Sequence, residues 1–332
     1  MKKTLLALAV VAASGAAFAQ SATLSGSYAF GYQSATSTAG VRTAGIGTDT
    51  AAIALVATED LGGGLKATAK VSLGGMMRDG AGTGEDASLT LAGGFGTITM
   101  GSVESDDGLS RAYAGAPVIG LDGKVHGGNA NIDVIGFQTA ALAPGLTAGL
   151  SYVDRGTTSL TATSATGLGN GTTGAAAAQP SITANVTYGA GPISARFDVT
   201  TYTRQGNADV FAPTAIAPAV TPITNNAQNR FRVSGNYDLG MAKVGFGYSS
   251  LKYTTGQTSK NTTVGISAPF GATTVGVVYE KNVTKDVTKT GYTVGAQYNL
   301  SKRTNVSTGY ASWKTAGAAS ASTFRVLVGH SF

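Results

Sequence analysis

Charged side chains are scarce in this 332-residue chain, 12% of the total against about 25% in an average soluble domain, so their placement carries information. The densest group falls between Val103 and Ala130: Glu104, Asp106, Asp107 and Asp122 together with Arg111, Lys124 and His126. Fixed charges this close together act on a passing charged solute through their field, most strongly where the surroundings exclude water. They do not assemble into a catalytic set. The chain has two histidines, His126 and His330, and no cysteine, which leaves no thiolate nucleophile, no histidine cluster for zinc and no evident Ser-His-Asp arrangement. The glycine-rich turns join strand to strand rather than strand to helix, so they form neither a Walker loop nor a dinucleotide fingerprint. No enzymatic activity, no cofactor and no metal are expected.

The elements that position these charges are strands. From Phe324 to Phe332, residues Phe324, Val326, Val328, His330 and Phe332 occupy every second position, the signature of a strand with one apolar face. The same period recurs along nearly the whole chain, and no run of 18 or more apolar residues offers a transmembrane helix. Alternation and Gly/Pro punctuation predict strands at 21–34, 48–60, 65–77, 85–92, 96–102, 131–140, 145–153, 180–189, 192–204, 229–238, 241–253, 258–268, 271–282, 288–299, 303–315 and 321–332. The count is even, which lets the first and last strands meet and close the sheet. Connections alternate between short turns such as Asp60 to Gly64, Gly93 to Phe95 and Asp238 to Gly240, and long segments, the largest near 103–130, 154–179 and 205–228.

Parity then sorts side chains. In the third strand Leu65, Ala67, Ala69, Val71 and Leu73 share one face, and Lys66, Thr68, Lys70 and Ser72 the other. The polar parity collects Lys66, Lys70, Arg196, Arg230, Arg232, Lys243, Arg303 and Arg325 against Asp198, Asp238 and Glu280. Parity alone does not say which face is inside. The N-terminus bears on that: Lys2 and Lys3, an apolar stretch from Leu5 to Ala13 and Ala17-Phe18-Ala19 read as a cleavable export signal over 1–19, leaving 20–332 as one domain. An exported strand-rich chain survives in lipid only as a barrel without free edges. The expectation is an all-β fold, a sixteen-stranded antiparallel transmembrane β-barrel, in an outer membrane. A mean hydropathy of +0.11 argues against wholesale disorder, and the basic residues behind the pI of 9.4 are spread over many strands, so no nucleic-acid partner is expected. A rival from another class remains open: an exported β-rich adhesin or structural surface protein, which would also be low in charge and free of cysteine.

Glu59 to Ala67, Gly93 to Gly101, Tyr298 to Thr304 and the terminal Phe332 together resemble the general porins of Gram-negative outer membranes, and the resemblance spans the chain beyond the leader. It implies a homotrimer that lets small hydrophilic solutes and ions diffuse passively, in contact with outer-membrane lipid and lipopolysaccharide. It also implies an inward-folded third external loop, Val103 to Ala130, whose Glu104, Asp106, Asp107, Arg111, Asp122 and Lys124 form the constriction. Opposite that loop the family carries a basic wall, for which Lys66, Lys70, Arg196, Arg230, Arg232 and Arg325 are the candidates here. Four positions depart from the pattern: Ala52, Val56, Glu85 and Ser102 stand where the family has cations. Eight inward bases against three inward acids predict a mild anion preference, opposed by the acidic loop.

Overall fold

The computed structural model describes residues 21–76, 80, 82–105, 109–127, 131–154, 180–203 and 227–332. The expected leader at 1–19 and nearly all of the long segments expected at 154–179 and 205–228 lie outside them. Sixteen strands follow in chain order: β1 (Ser21–Thr36), β2 (Arg42–Gly62), β3 (Leu65–Gly74), β4 (Thr83–Gly93), β5 (Gly96–Glu104), β6 (Asn131–Thr139), β7 (Leu146–Asp154) and β8 (Ser181–Ala190). The second half consists of β9 (Ile193–Tyr202), β10 (Ala227–Asp238), β11 (Lys243–Tyr253), β12 (Thr258–Phe270), β13 (Thr273–Thr284), β14 (Val287–Asn299), β15 (Thr304–Thr315) and β16 (Ala321–Ser331). Every expected strand is present. Each pairs antiparallel with its sequence neighbours, and β1 pairs both β2 and β16, with Tyr28 opposite Ala51 on one side and His330 on the other.

Closure gives every strand two partners, so no backbone edge is left for water or another chain to satisfy. The side chains then divide by parity. Leu55, Val71, Leu89, Ile135, Leu150, Ile182, Phe197, Val233, Phe246, Val264, Val277 and Val294 point outward and form an exposed apolar belt. A continuous apolar surface of this kind belongs against lipid rather than water. The lumen side of the same strands is threaded by hydroxyl ladders, Thr58 to Thr68 at 3.1 Å and Thr183 to Thr200 at 2.8 Å. The belt includes aromatic rings on β1 and on every strand from β6 to β16, but β2, β3, β4 and β5 contain no Phe, Tyr or Trp at all.

Glycine is required where the short turns fold tightly. Gly96 takes φ +124° at the start of β5, and a Cβ there would lie 2.1 Å from the Gln138 carbonyl oxygen. Among the bulges that interrupt the ladder at the long-loop end, two lie on β2 and β4. Opposite β1 the register slips between Ala29 and Phe30, leaving Asp49 of β2 unpaired between Thr48 and Thr50. Opposite β3 it slips between Val71 and Leu73, so that Glu85 and Asp86 of β4 both face Ser72. Bulges re-aim side chains, and both of these turn carboxylates toward the lumen.

Candidate functional site

A hollow barrel has no hydrophobic core of its own, yet this one holds a small dry cluster. Six of the twelve buried apolar side chains among the described residues, Leu109, Ala112, Ala114, Ile119, Leu121 and Val125, belong to the segment between β5 and β6. That segment folds into the lumen. It opens with a 3₁₀ turn, Ser110–Tyr113, which touches β10, β11 and β12, and continues across β13, β14 and β15. Ile119, Leu121 and Val125 close over Ala311, with Trp313 packed alongside.

The seat is a row of lumen-facing glycines. Gly276, Gly295 and Gly309 are direct cross-strand neighbours on β13, β14 and β15, and Gly245 and Gly265 are opposite each other on β11 and β12. A methyl group would not fit at Gly276, Gly295, Gly245 or Gly265. A Cβ would lie 2.3 Å from Cβ of Ala116 at Gly276, 2.1 Å from the Pro117 oxygen at Gly295, and 2.3 Å from the Ala112 oxygen at both Gly245 and Gly265. The loop backbone therefore lies directly on wall backbone. Side chains beside the glycines supply donors to the loop's carbonyls: Ser267 Oγ donates to Ala114 O at 2.6 Å, and Asn236 Nδ2 donates to Arg111 O at 3.1 Å.

One buried acid ties the loop down. Glu280 of β13 is 1% exposed; it accepts a hydrogen bond from Tyr113 Oη at 2.7 Å, and His126 Nε2 stands 3.1 Å from its other oxygen. The latter contact has ion-pair distance without hydrogen-bond alignment. His126 Nδ1 faces the Gly127 carbonyl at 2.9 Å. Both ring nitrogens thus lie close to oxygen atoms of the protein. Tyr113 Oη also accepts the Leu121 amide at 3.3 Å, so the three side chains pin both limbs of the loop.

The loop residues expected from the sequence occupy different environments. Glu104 is the last residue of β5, on the parity of Ile98 and Met100, and stands before the loop rather than in it. Asp106 and Asp107 lie outside the described residues. Arg111 sits in the 3₁₀ turn and is half-buried, and Asp122 is exposed beside His126. Lys124 donates to Gly120 O at 2.8 Å with its ammonium 5.6 Å from the centre of the Trp313 ring.

The basic wall residues fall into two groups. Arg196, Arg230 and Arg232 stand together on β9 and β10, on the side where the loop begins. Arg232 Nε donates to both oxygens of fully buried Asp198 at 2.9 and 3.1 Å, Arg196 Nε lies 3.4 Å from the same carboxylate, and Arg230 reaches Thr200 and the Tyr202 ring. On the facing side, Lys70 is paired with Asp86 at 3.0 Å and Arg325 with Asp49 at 3.0 Å, while Lys66 is exposed near a short turn. In a sixteen-stranded ring β3 lies eight strands from β11, so Lys66 and Lys70 look across the lumen at the loop's seat.

Three lumen acids escaped parity: Asp49, Glu85 and Asp86. A Cβ on lumen-facing Gly74 would come 1.7 Å from Glu85, which locates that carboxylate on the inner side. All three belong to the bulges, where the two-residue period breaks without any mark in residue type. The glycine seat did leave a signal: each strand from β11 to β15 carries a glycine on its polar parity.

A family model described as Gram-negative porin matches residues 5–318. Among solved structures, the chain is similar to the anion-selective porin from Comamonas acidovorans, with 22% identity, 94% of this chain and 100% of that chain covered, and a TM-score of 0.68. It is similar to a loop-deletion mutant of OmpT, an outer membrane protein of Vibrio cholerae, at 14% identity, 95% and 100% coverage and TM-score 0.66. It is also similar to a mutant of the Rhodobacter blastica porin at 18% identity, 94% and 100% coverage and TM-score 0.64. No curated protein matches the chain.

Proposed function

This chain belongs to the Gram-negative porin family and is an outer-membrane channel, and we propose that its constriction lies between the in-folded loop 109–127 and the facing wall of β1 to β5. The observation that carries this is the glycine seat: the loop is held flat against β11 to β15, so the remaining passage runs along the other half of the ring. The loop contributes Arg111, Asp122 and Lys124 to that passage, and the facing wall contributes Lys66, the Lys70–Asp86 pair and the Arg325–Asp49 pair. Small hydrophilic solutes and ions pass by diffusion. The channel has no catalytic role, and residues 1–19 act as a leader removed from a single-domain barrel. The adhesin reading finds no support in a closed ring with a polar lumen and an apolar exterior.

Selectivity is weakly for anions. Five of the eight bases counted on the polar parity, Lys70, Arg196, Arg232, Lys243 and Arg325, stand against carboxylates, and a paired charge exerts little net field at a distance. What acts on an ion is the remainder, which includes the second arginine at Asp198, Lys66 and Arg303 with Arg111 and Lys124 of the loop, against Asp122 and Glu85. Reversal potentials across a planar bilayer in a salt gradient test the sign, and a clear cation preference would overturn it.

The protein assembles as a homotrimer through β2 to β5. Aromatic girdles mark where a barrel meets the lipid interface, and the four-strand gap in the girdle, with Ala57, Ala67, Ala69 and Ala87 on its outer face, offers a surface suited to another protomer. A heat-dissociable species of three chains on a mild-detergent gel is the expected result.

A further inference from the structure

Beneath the in-folded loop, two side chains of metal-ligating type meet out of water. His126 of the loop and Glu280 of β13 have side chains 4% and 1% exposed, with Nε2 and Oε2 3.1 Å apart. Two donors bound to one tetrahedral zinc at about 2.0–2.2 Å each lie about 3.3 Å from one another. Glu280 Oε2 accepts no hydrogen bond, although it is this close to a ring nitrogen. A short separation without hydrogen-bond alignment is the relation of two donors whose lone pairs converge on a third point. No three of His, Cys, Asp and Glu come together among the described residues, so any further donors are hydroxyls or water.

Both donors are held from behind. The Gly127 carbonyl, an acceptor only, lies 2.9 Å from His126 Nδ1 and draws the ring proton there, which leaves the lone pair on Nε2 whenever the ring is neutral. Tyr113 Oη donates to Glu280 Oε1 at 2.7 Å and so leaves Oε2 for a second partner. A further oxygen stands alongside. Thr263 of β12 is directly opposite Glu280, shares its lumen face, is fully buried, and its Oγ1 makes no hydrogen bond. A buried hydroxyl without a partner is costly, and a cation held here, directly or through its water, gives it one.

We propose that His126 Nε2, Glu280 Oε2 and the Thr263 hydroxyl form a site for a divalent transition cation of the zinc type, which clasps the loop to β12 and β13. An imidazole, a carboxylate and a hydroxyl suit zinc, cobalt and nickel; magnesium and calcium prefer sites built from oxygens alone. The cation takes the place of the proton that Nε2 carries when His126 and Glu280 are an ion pair. One means of holding the loop is thereby exchanged for another. With only two strong donors the site loads and unloads reversibly. The assignment depends on how the loop is seated and not on what passes through the pore.

The chain carries its own reporter. Trp313, the single tryptophan, is opposite Gly291, which is opposite Glu280, so the indole sits two inter-strand steps, about 10 Å, from the site. Folded, tag-free protein in detergent, stripped of metal by a chelator, is titrated with Co2+ while Trp313 emission and the visible spectrum of cobalt are followed, and then with Zn2+ in competition. The wild type is expected to be quenched saturably by one cation per chain, and Zn2+ to restore the emission. His126→Gln should weaken binding by at least about 10–100-fold, the loss that follows even when a group merely supporting a ligand is removed. Two further substitutions separate a metal site from an ion pair. His126→Lys keeps a positive charge beside Glu280 and should not bind the cation, whereas His126→Cys lacks that charge and should bind through its thiolate. His330→Gln, on β16, should titrate like the wild type. The proposal is overturned by equal quenching of wild type and His126→Gln, by a Lys variant as tight as the wild type, or by a Cys variant no tighter than the Gln one. Displacement of Co2+ by an equal concentration of Mg2+ also overturns it, since that marks a site for hard cations. Should the Gln variant fail to fold, the Lys variant against the wild type gives the same comparison.

Discussion

Replacing Glu280 with Ala removes both anchors of the loop at once, the acceptor for Tyr113 Oη at 2.7 Å and the counter-charge 3.1 Å from His126. Breaking a buried pair by deleting one partner costs about 3–5 kcal/mol. The Tyr113 bond, worth about 1.5–3 kcal/mol because its acceptor is charged, involves the same carboxylate, so about 4 kcal/mol is a fair total. Against this stands the burial of Ile119, Leu121 and Val125, about 1.5–3 kcal/mol each, and the two wall bonds to Ala114 O and Arg111 O, about 1 kcal/mol each. The loop should therefore remain seated most of the time, but its seating equilibrium should shift by about three orders of magnitude. In a planar bilayer the wild type is expected to pass a steady current, and Glu280→Ala a noisy one with brief excursions to larger conductance as the loop lifts. Heat dissociation of the trimer should not change, because no strand pairing is touched. The double variant Glu280→Leu with His126→Leu should be quieter than Glu280→Ala, since it leaves no buried charge without its partner. A Glu280→Ala channel as quiet as the wild type, with the same solute size limit, would refute the latch.

The glycine seat makes a steric prediction. Gly276→Val brings a Cβ to 2.3 Å from Ala116 Cβ where ordinary contact is about 3.5–4.0 Å, so the loop should be pushed more than about 1 Å into the passage and single-channel conductance should fall; unchanged conductance would mean the loop does not rest there. Asp49→Asn leaves Arg325 without its partner at the level of Gly309 and should raise relative anion permeability, with Arg325→Gln moving the reversal potential the other way. Neutralising Asp106 and Asp107 together should also favour anions, and no shift would put both in bulk solvent. Ala69→Trp, on the outer face of β3, should lower the temperature at which trimers dissociate by obstructing the aromatic-free surface; a normal transition would place the interface elsewhere.

The strand order was legible because a strand's period is local. Phe231 and Val233 alternate with Arg230 and Arg232 whatever the rest of the chain does, and apolar parity found its lipid-facing side on every strand where the period held. It failed at Asp49, Glu85 and Asp86, since a bulge shifts the phase without changing the kind of residue present. Family likeness placed the loop inside, but the reason it fits there was not visible along the chain. The glycines of β11 to β15 look like ordinary strand glycines until register sets them side by side.

Sequence by itself therefore determined the number of strands and their two faces. Only the tertiary structure decided which charges act: it joined Tyr113 to Glu280 across 167 residues and matched five of the wall's bases to acids. The physical reason is range. Side-chain alternation is set by adjacent residues, whereas a charge is neutralised or left free by whatever the closed sheet brings within about 4 Å of it.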